Sequence, residues 1–272
     1  MSTWSTPARS YVRVAAPDDV YAGAAALLAN QLHLGALFVL TTGETMYGVQ
    51  LTSGVVTAAR KLGLGLAGSG TWNPKAGSYA ALANRVARSG ADGVFLADFG
   101  LNGGMLIRAL RSRLGNRVTL IASDGFLPVS AILNEAGAAA VGTYLIFPVA
   151  ATETLGATGR RFVREFGVTQ PNGVVQSGTY VPEAAAAADL VLDAISRSDG
   201  TRASVLRELQ HAHVRDGILG SFRFDENGDM DPALVSAFRI TGRTTPRATL
   251  VRDFRGSTPE RLIKVPVALV PR

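Results

Sequence analysis

From Tyr11 to about Phe147, short apolar runs of β type alternate with Ala-rich amphipathic stretches, and no other feature of the sequence restricts the fold as much. Strands and helices that take turns in this way build βαβ units around a parallel sheet. Strands are expected at Ala36 to Leu40, Leu64 to Gly68, Gly93 to Ala97, Val118 to Ala122 and Gly142 to Phe147. Helices are expected near Tyr21 to Gln31, Gly48 to Leu62, Tyr79 to Ser89, Gly103 to Leu114 and Val129 to Glu135. The strands are nearly uniformly apolar, as in a sheet covered by helices on both faces.

Beyond Pro148 the pattern changes. Three helical segments follow, near Thr154 to Phe166, Tyr180 to Ser196 and Thr201 to His211, with hardly a strand between them. The second holds the run Ala184 to Ala188, the strongest helix former in the chain. Two β-type stretches, Leu219 to Phe224 and Leu234 to Ile240, then flank Asp225 to Asp229, where Asn227 and Gly228 signal a tight turn. The residues from about 246 to the end, rich in Arg, Thr and Pro, read as a tail with one or two short β pieces.

Composition narrows the function classes. With 272 residues, 47% hydrophobic and 18% charged, the chain has room for one large or two small globular domains and is not disordered. No run reaches the roughly 18 apolar residues of a membrane span. The net charge of +6 comes largely from Arg scattered singly or in pairs, so it describes a solvated surface and not a nucleic-acid footprint. There is no cysteine, which removes disulfides, thiolate nucleophiles and Cys-ligated zinc together. The first nine residues lack a basic stretch followed by an apolar one, so no secretory signal is visible there.

Several motifs have plain readings. Gly63, Gly65 and Gly68 have GxGxxG spacing, but they follow a helix and lead into a loop, whereas a dinucleotide site needs a strand before and a helix after. Asp225, Asn227 and Asp229 imitate the start of a calcium loop, yet Met230 stands where Gly is needed and Ser236 where Glu is needed, and the hairpin reading is preferred. His211 and His213 lack an apparent third ligand, so no metal site is expected. With three histidines and no G-x-S-x-G elbow, no catalytic residue is assigned and no cofactor is expected.

What remains is a set of polar and aromatic residues placed just after strands: Thr41, Thr42 and Tyr47, then Asp98 and Phe99, then Ser123, Asp124 and Gly125. Ligands of parallel α/β sheets gather at the carboxyl ends of the strands. A lip of rings and carboxylates suits a zwitterionic amine. The same residues would also serve as ordinary loop caps.

Taken in order, the segment Arg13 to Asp19, Tyr47 with Gly48, Gly90 to Val94, Leu106 to Arg111, Ser123 to Gly125 and Gly217 to Asp229 resembles the type I periplasmic binding proteins, closest to the branched-chain amino acid receptors of ABC transporters. The resemblance runs from Tyr11 to about Gly242. It implies a non-catalytic solute-binding protein of two α/β lobes that close on an amino acid or amide, an ABC permease as partner, no nucleic acid, and a periplasmic or extracellular membrane-associated address. By the same resemblance, Asp124 pairs with the ligand ammonium, where the family usually has Glu. Tyr47, Phe99 and Tyr180 form walls, and Thr42 and Ser123 complete the set. The early βα units of the first lobe find no counterpart. The expected organisation is therefore a complete lobe at 15–147, a partial, mostly helical lobe at 148–232, a return to the complete lobe at 233–245 and a tail at 246–272. An apolar face left uncovered beside the helices of 148–211 is expected if that lobe is partial. The alternative is a ligand-sensing domain of a cytoplasmic regulatory protein.

Overall fold

The computed structural model describes residues 10–100, 102–170, 179–242 and 248–256. They fall into two compact units. A large-sheet unit is built on Tyr21–Phe147 and Ala237–Arg252, and a small-sheet unit on the segment up to Val20 together with Pro148–Ser236.

In the large-sheet unit the expected alternation is present: α1 (Asp18–Gln31), β1 (Ala36–Thr41), α2 (Met46–Lys61), β2 (Gly65–Thr71), α3 (Ala80–Arg88), β3 (Gly93–Leu96), α4 (Gly103–Leu114), β4 (Thr119–Ala122), α5 (Val129–Ala136) and β5 (Tyr144–Phe147). Two later strands, β9 (Ala233–Ile240) and β10 (Ala248–Gly256), extend the sheet to the order β10-β9-β5-β4-β3-β1-β2. β1 to β5 pair in parallel, for example Leu37 with Gly93, Val94 with Leu120 and Ile121 with Tyr144. Every residue of β3 is buried, and β1, β4 and β5 are buried except at their first residue or ends. That burial explains their continuous apolar runs. β2, at the sheet edge, is half exposed and carries Gly65 and Gly68 of the GxGxxG run as strand, while Gly63, with φ 76°, lies in the turn before it, so the run is not a nucleotide loop. Helix α2 shows why the segment is helical. Thr45 caps its N-terminus by accepting from the Gly48 N–H, and Leu51, Val55, Ala58 and Ala59 repeat on one buried face.

Strand order matters for function. The chain runs from β1 to the edge at β2 and then returns to β3 on the other side of β1, so the direction of winding reverses between β1 and β3. The crevice at the carboxyl ends beside such a reversal is where open α/β sheets bind ligands.

The small-sheet unit contains α6 (Ala157–Gly167), α7 (Val181–Arg197), α8 (Arg202–Gln210) and the antiparallel sheet β6 (His213–Gly217), β7 (Gly220–Phe224) and β8 (Met230–Asp231). One expectation is corrected here. The turn at Asn227 and Gly228 does join a hairpin, but the partner of β7 is the two-residue β8, with Arg223 opposite Asp231 and Phe224 opposite Met230. The stretch from Leu234 to Ile240 instead lies in β9 of the large sheet. Pro232, which has no N–H to give to a ladder, stops β8. Asp225 accepts from the N–H groups of Asn227 and Asp229, and Asp229 pairs with Arg13 at 2.6 Å, so these carboxylates serve the turn. His211 caps α8 and faces the Arg207 carbonyl, while His213 opens β6. Among the described residues, no group of three or more His, Asp or Glu side chains could hold a metal ion, and no helix is long and apolar enough to cross a membrane. Of the expected tail, 248–256 form β10, and the rest lies outside the described residues.

Leu155, Ala186, Leu190, Ile218, Phe222, Phe224 and Leu234 form this unit's core. Helix α7 turns Ala186, Leu190 and Ala194 toward it. On its other side Val191, Leu192 and Ile195 are 42%, 65% and 49% exposed. A cleft of about 240 Å³ lies beside α7, lined by Leu190, Ala212 and Phe222 with Asp193, Arg197 and His213.

Candidate functional site

The reversal point of the large sheet gathers three loops. The β1–α2 loop brings Thr41, Thr42, Thr45 and Tyr47; the loop after β3 brings Asp98 and Phe99; the turn after β4 brings Ser123 and Asp124. The sequence reading placed these residues at one lip, and the structure separates them into support and wall.

Asp98 belongs to the support. Its φ is 88° and it is fully buried. Its Oδ2 accepts from the hydroxyls of Thr41, at 3.2 Å, and Thr42. Its Oδ1 accepts from Thr45 Oγ1 at 2.6 Å and from the Phe99 N–H at 3.0 Å. Burial works to raise the Asp98 pKa, but the donors from Thr42, Thr45, Phe99 and Thr41 outweigh it and hold the carboxyl below its ordinary range. The carboxylate is thus spent on its own loops. Thr42, expected at the ligand, donates its hydroxyl to Asp98. Ser123, expected there as well, is fully buried with its hydroxyl 3.2 Å from the Asp98 carbonyl. Thr42 thus serves the buried anion, for which short polar side chains are a cheap source of hydrogen bonds, and Ser123 satisfies a backbone carbonyl.

The wall consists of Tyr47, Phe99 and Asp124. The rings of Tyr47 and Phe99 stand 5.6 Å apart, and Phe99 is 56% exposed. Tyr47 donates its hydroxyl to Asp124 Oδ1 at 2.5 Å. Burial and then the Asp124 charge push the Tyr47 pKa far above its usual value, so the phenol remains a donor at any physiological pH. A residue that the sequence reading missed completes the group: Tyr21, wholly buried in α1. Its hydroxyl lies 2.7 Å from the Ile146 carbonyl and 3.1 Å from Asp124 Oδ1, and it accepts from the Asp124 N–H at 3.0 Å. With one proton to give, it donates over the shorter distance to Ile146 and fixes the backbone of Asp124. A lone phenol in an otherwise Ala- and Leu-rich helix was its only mark in the sequence. Tyr180 lies on the small-sheet unit, at the N-cap of α7 with φ 57°, and is 37% exposed.

A family profile described as "Periplasmic binding protein" matches residues 2–241. The chain belongs to that family. Similar solved structures include a leucine-binding protein of Thermotoga maritima (18% identity, 91% of this chain and 69% of that one, TM-score 0.79). A solute-binding protein from R. palustris in complex with 4-hydroxybenzoate is similar at 13% identity over 93% of this chain and 69% of that one, with TM-score 0.74. An ABC transporter substrate-binding protein from Desulfitobacterium hafniense is similar at 22% identity over 88% and 67%, with TM-score 0.71. No curated protein sequence matches the chain. The periplasmic binding fold and its non-enzymatic, substrate-binding character follow from these matches, and the parallel sheet with its reversal between β1 and β3 is the part of that fold described above.

Proposed function

We propose that this periplasmic binding protein recognises a ligand with a cationic amine and an apolar side chain, a branched-chain amino acid or its amide, for an ABC permease outside the cytoplasm. The observation that carries the reading is the Asp124 carboxylate beside the Tyr47 and Phe99 rings, held by the Tyr47 phenol while Tyr21 accepts from the Asp124 N–H. A carboxylate among rings favours an ammonium group and opposes an anion, because a like charge at this distance costs binding free energy. The neighbours bind ligands as different as leucine and 4-hydroxybenzoate, so the fold does not choose between them. The charge of Asp124 favours the amine. Asp reaches one methylene less far than Glu, which suits a ligand seated deeper or bridged by water. In this reading Tyr47 and Phe99 cover the apolar side chain, while Tyr180 keeps its wall role through the family resemblance.

Heteronuclear NMR of the chain titrated with leucine, leucinamide and benzoate tests the reading. Leucine and leucinamide are expected to shift the Tyr47 and Phe99 resonances with millimolar affinity, and benzoate to leave them in place. Asp124→Asn should weaken leucine about tenfold or more, the scale of a lost charge-assisted hydrogen bond. Benzoate binding as well as leucine, or Asp124→Asn binding leucine unchanged, would exclude the amine assignment.

A further inference from the structure

The three wall residues sit on three different loops, and each is a chain neighbour of a residue fastened to Asp98. Tyr47 lies between Thr45, whose hydroxyl donates to Asp98 Oδ1, and Gly48, whose N–H donates back to Thr45 at 3.0 Å. At position 48 any side chain would run into the Asp98 carboxylate, so the first turn of α2 is pressed directly onto that group. Phe99 follows Asp98 and gives its own N–H to the same carboxylate. Asp124 stands between Ser123, whose hydroxyl reaches the Asp98 carbonyl, and Gly125, where any side chain would meet that carbonyl. The side chain of Asp98 therefore fastens two loops and its backbone seats the third.

We infer that Asp98, whose carboxylate is occupied by loop donors, is the positioning residue of the amine site: a buried anion that sets Tyr47 and Phe99 against Asp124 before ligand arrives. This rests on the proposed function for its binding readout but not for its structural one. The physical basis is acceptor count. Each carboxylate oxygen of Asp98 takes two donors; Asn turned one way sets its NH2 against the Phe99 N–H, and turned the other way forces the Thr41 and Thr42 hydroxyls to reverse from donors to acceptors, with the charge lost in both cases. Without the anion the β1–α2 loop has hydroxyls but no shared acceptor, and preorganisation of the wall is lost.

The test uses the full chain labelled at tyrosine Cζ, with the Tyr47 signal assigned from Tyr47→Phe. Asp98→Asn is expected to move or broaden the Tyr47 signal in the absence of any ligand and to weaken leucine about tenfold. A folded Asp98→Asn protein with the Tyr47 signal and leucine affinity of the wild type would overturn the inference. If the wild type takes up no leucine, the proposed function fails, while the Tyr47 signal still judges Asp98. Should Asp98→Asn not fold, Thr45→Val cuts only the link between Asp98 and α2. It is expected to shift the Tyr47 signal, and Thr45→Ser, which keeps the hydroxyl, to restore it. A Thr45→Val protein with an unmoved Tyr47 signal would equally overturn the inference.

Discussion

The two units solve the same problem, burying apolar surface, to different degrees. In the large-sheet unit Phe95, Leu96, Leu120, Ile121, Leu106, Ile107 and Leu110 are all within 1% of complete burial, and the central strands have no polar face. In the small-sheet unit the core is narrow, and α7 carries apolar residues on both sides while only one side is covered. A helix apolar on both sides is ordinarily buried on both. The difference teaches that loops which end strands of the fully packed unit can be held in fixed positions by a dry sheet, and the proposed Asp124 site stands on such loops.

The comparison can be broken most easily at its strongest point. Ile121→Ala, in a strand buried on both faces, should cost the large-sheet unit about 3–4 kcal/mol. Denaturant unfolding followed by Trp72 fluorescence, in a Trp4→Phe background, measures it. A loss below about 1 kcal/mol would mean that this core is not the rigid one.

A second difference concerns pH. Burial pushes the Glu183 carboxyl of α7 up to about 7, opposed only in part by N–H groups including that of Ala150. Between 4.5 and about 7 the folded unit therefore holds a proton that the unfolded chain has released. Its stabilisation is complete at lower pH and lost as pH rises through 7, a change of about 3 kcal/mol. Asp98 behaves in the opposite sense. Its depressed pKa supports the large-sheet unit above the ordinary carboxylate range and is lost as pH falls through the folded value. Protection factors of α7, with the intrinsic pH dependence of amide exchange divided out, should fall between pH 5 and 8, and Glu183→Gln should remove that fall. Trp72-monitored stability should fall only in acid.

Smaller effects sharpen the picture. Thr201 caps α8 by accepting from the Ser204 N–H at 3.2 Å, and Thr201→Ala should cost about 1 kcal/mol by thermal melting of the small-sheet unit. The smallest effect is expected at the uncovered face. Leu192→Gln with Ile195→Gln should change stability by no more than about 0.5 kcal/mol, because both residues are already exposed. A loss of several kcal/mol, or a change in sedimentation coefficient, would show that this face is covered in solution.

The large-sheet unit was legible because its signals are local. Alternating period and continuous apolar strands located five strands and five helices to within a few residues. The short hairpin was misread at its second strand because an Asn-Gly turn marks where a chain reverses but not how far the ladder continues. At the site, Tyr47, Phe99 and Asp124 were visible as residues that follow strands. Asp98 looked equivalent to Asp124 in sequence, since both are acidic residues just past a buried strand.

Residue order alone was enough to specify a parallel sheet and the loops that end its strands, because hydrophobic period and strand succession are properties of neighbouring residues, whereas the reversal of strand order came from the fold. Which carboxylate faces outward was decided by tertiary structure. Burial beside three threonine hydroxyls and a backbone N–H makes Asp98 an internal anchor, while Asp124 takes the Tyr47 phenol at its carboxylate and gives its N–H to Tyr21, which suits it to the proposed role. The charge of a carboxylate is written in the sequence, but its solvation and its partners come from residues brought together only by the fold.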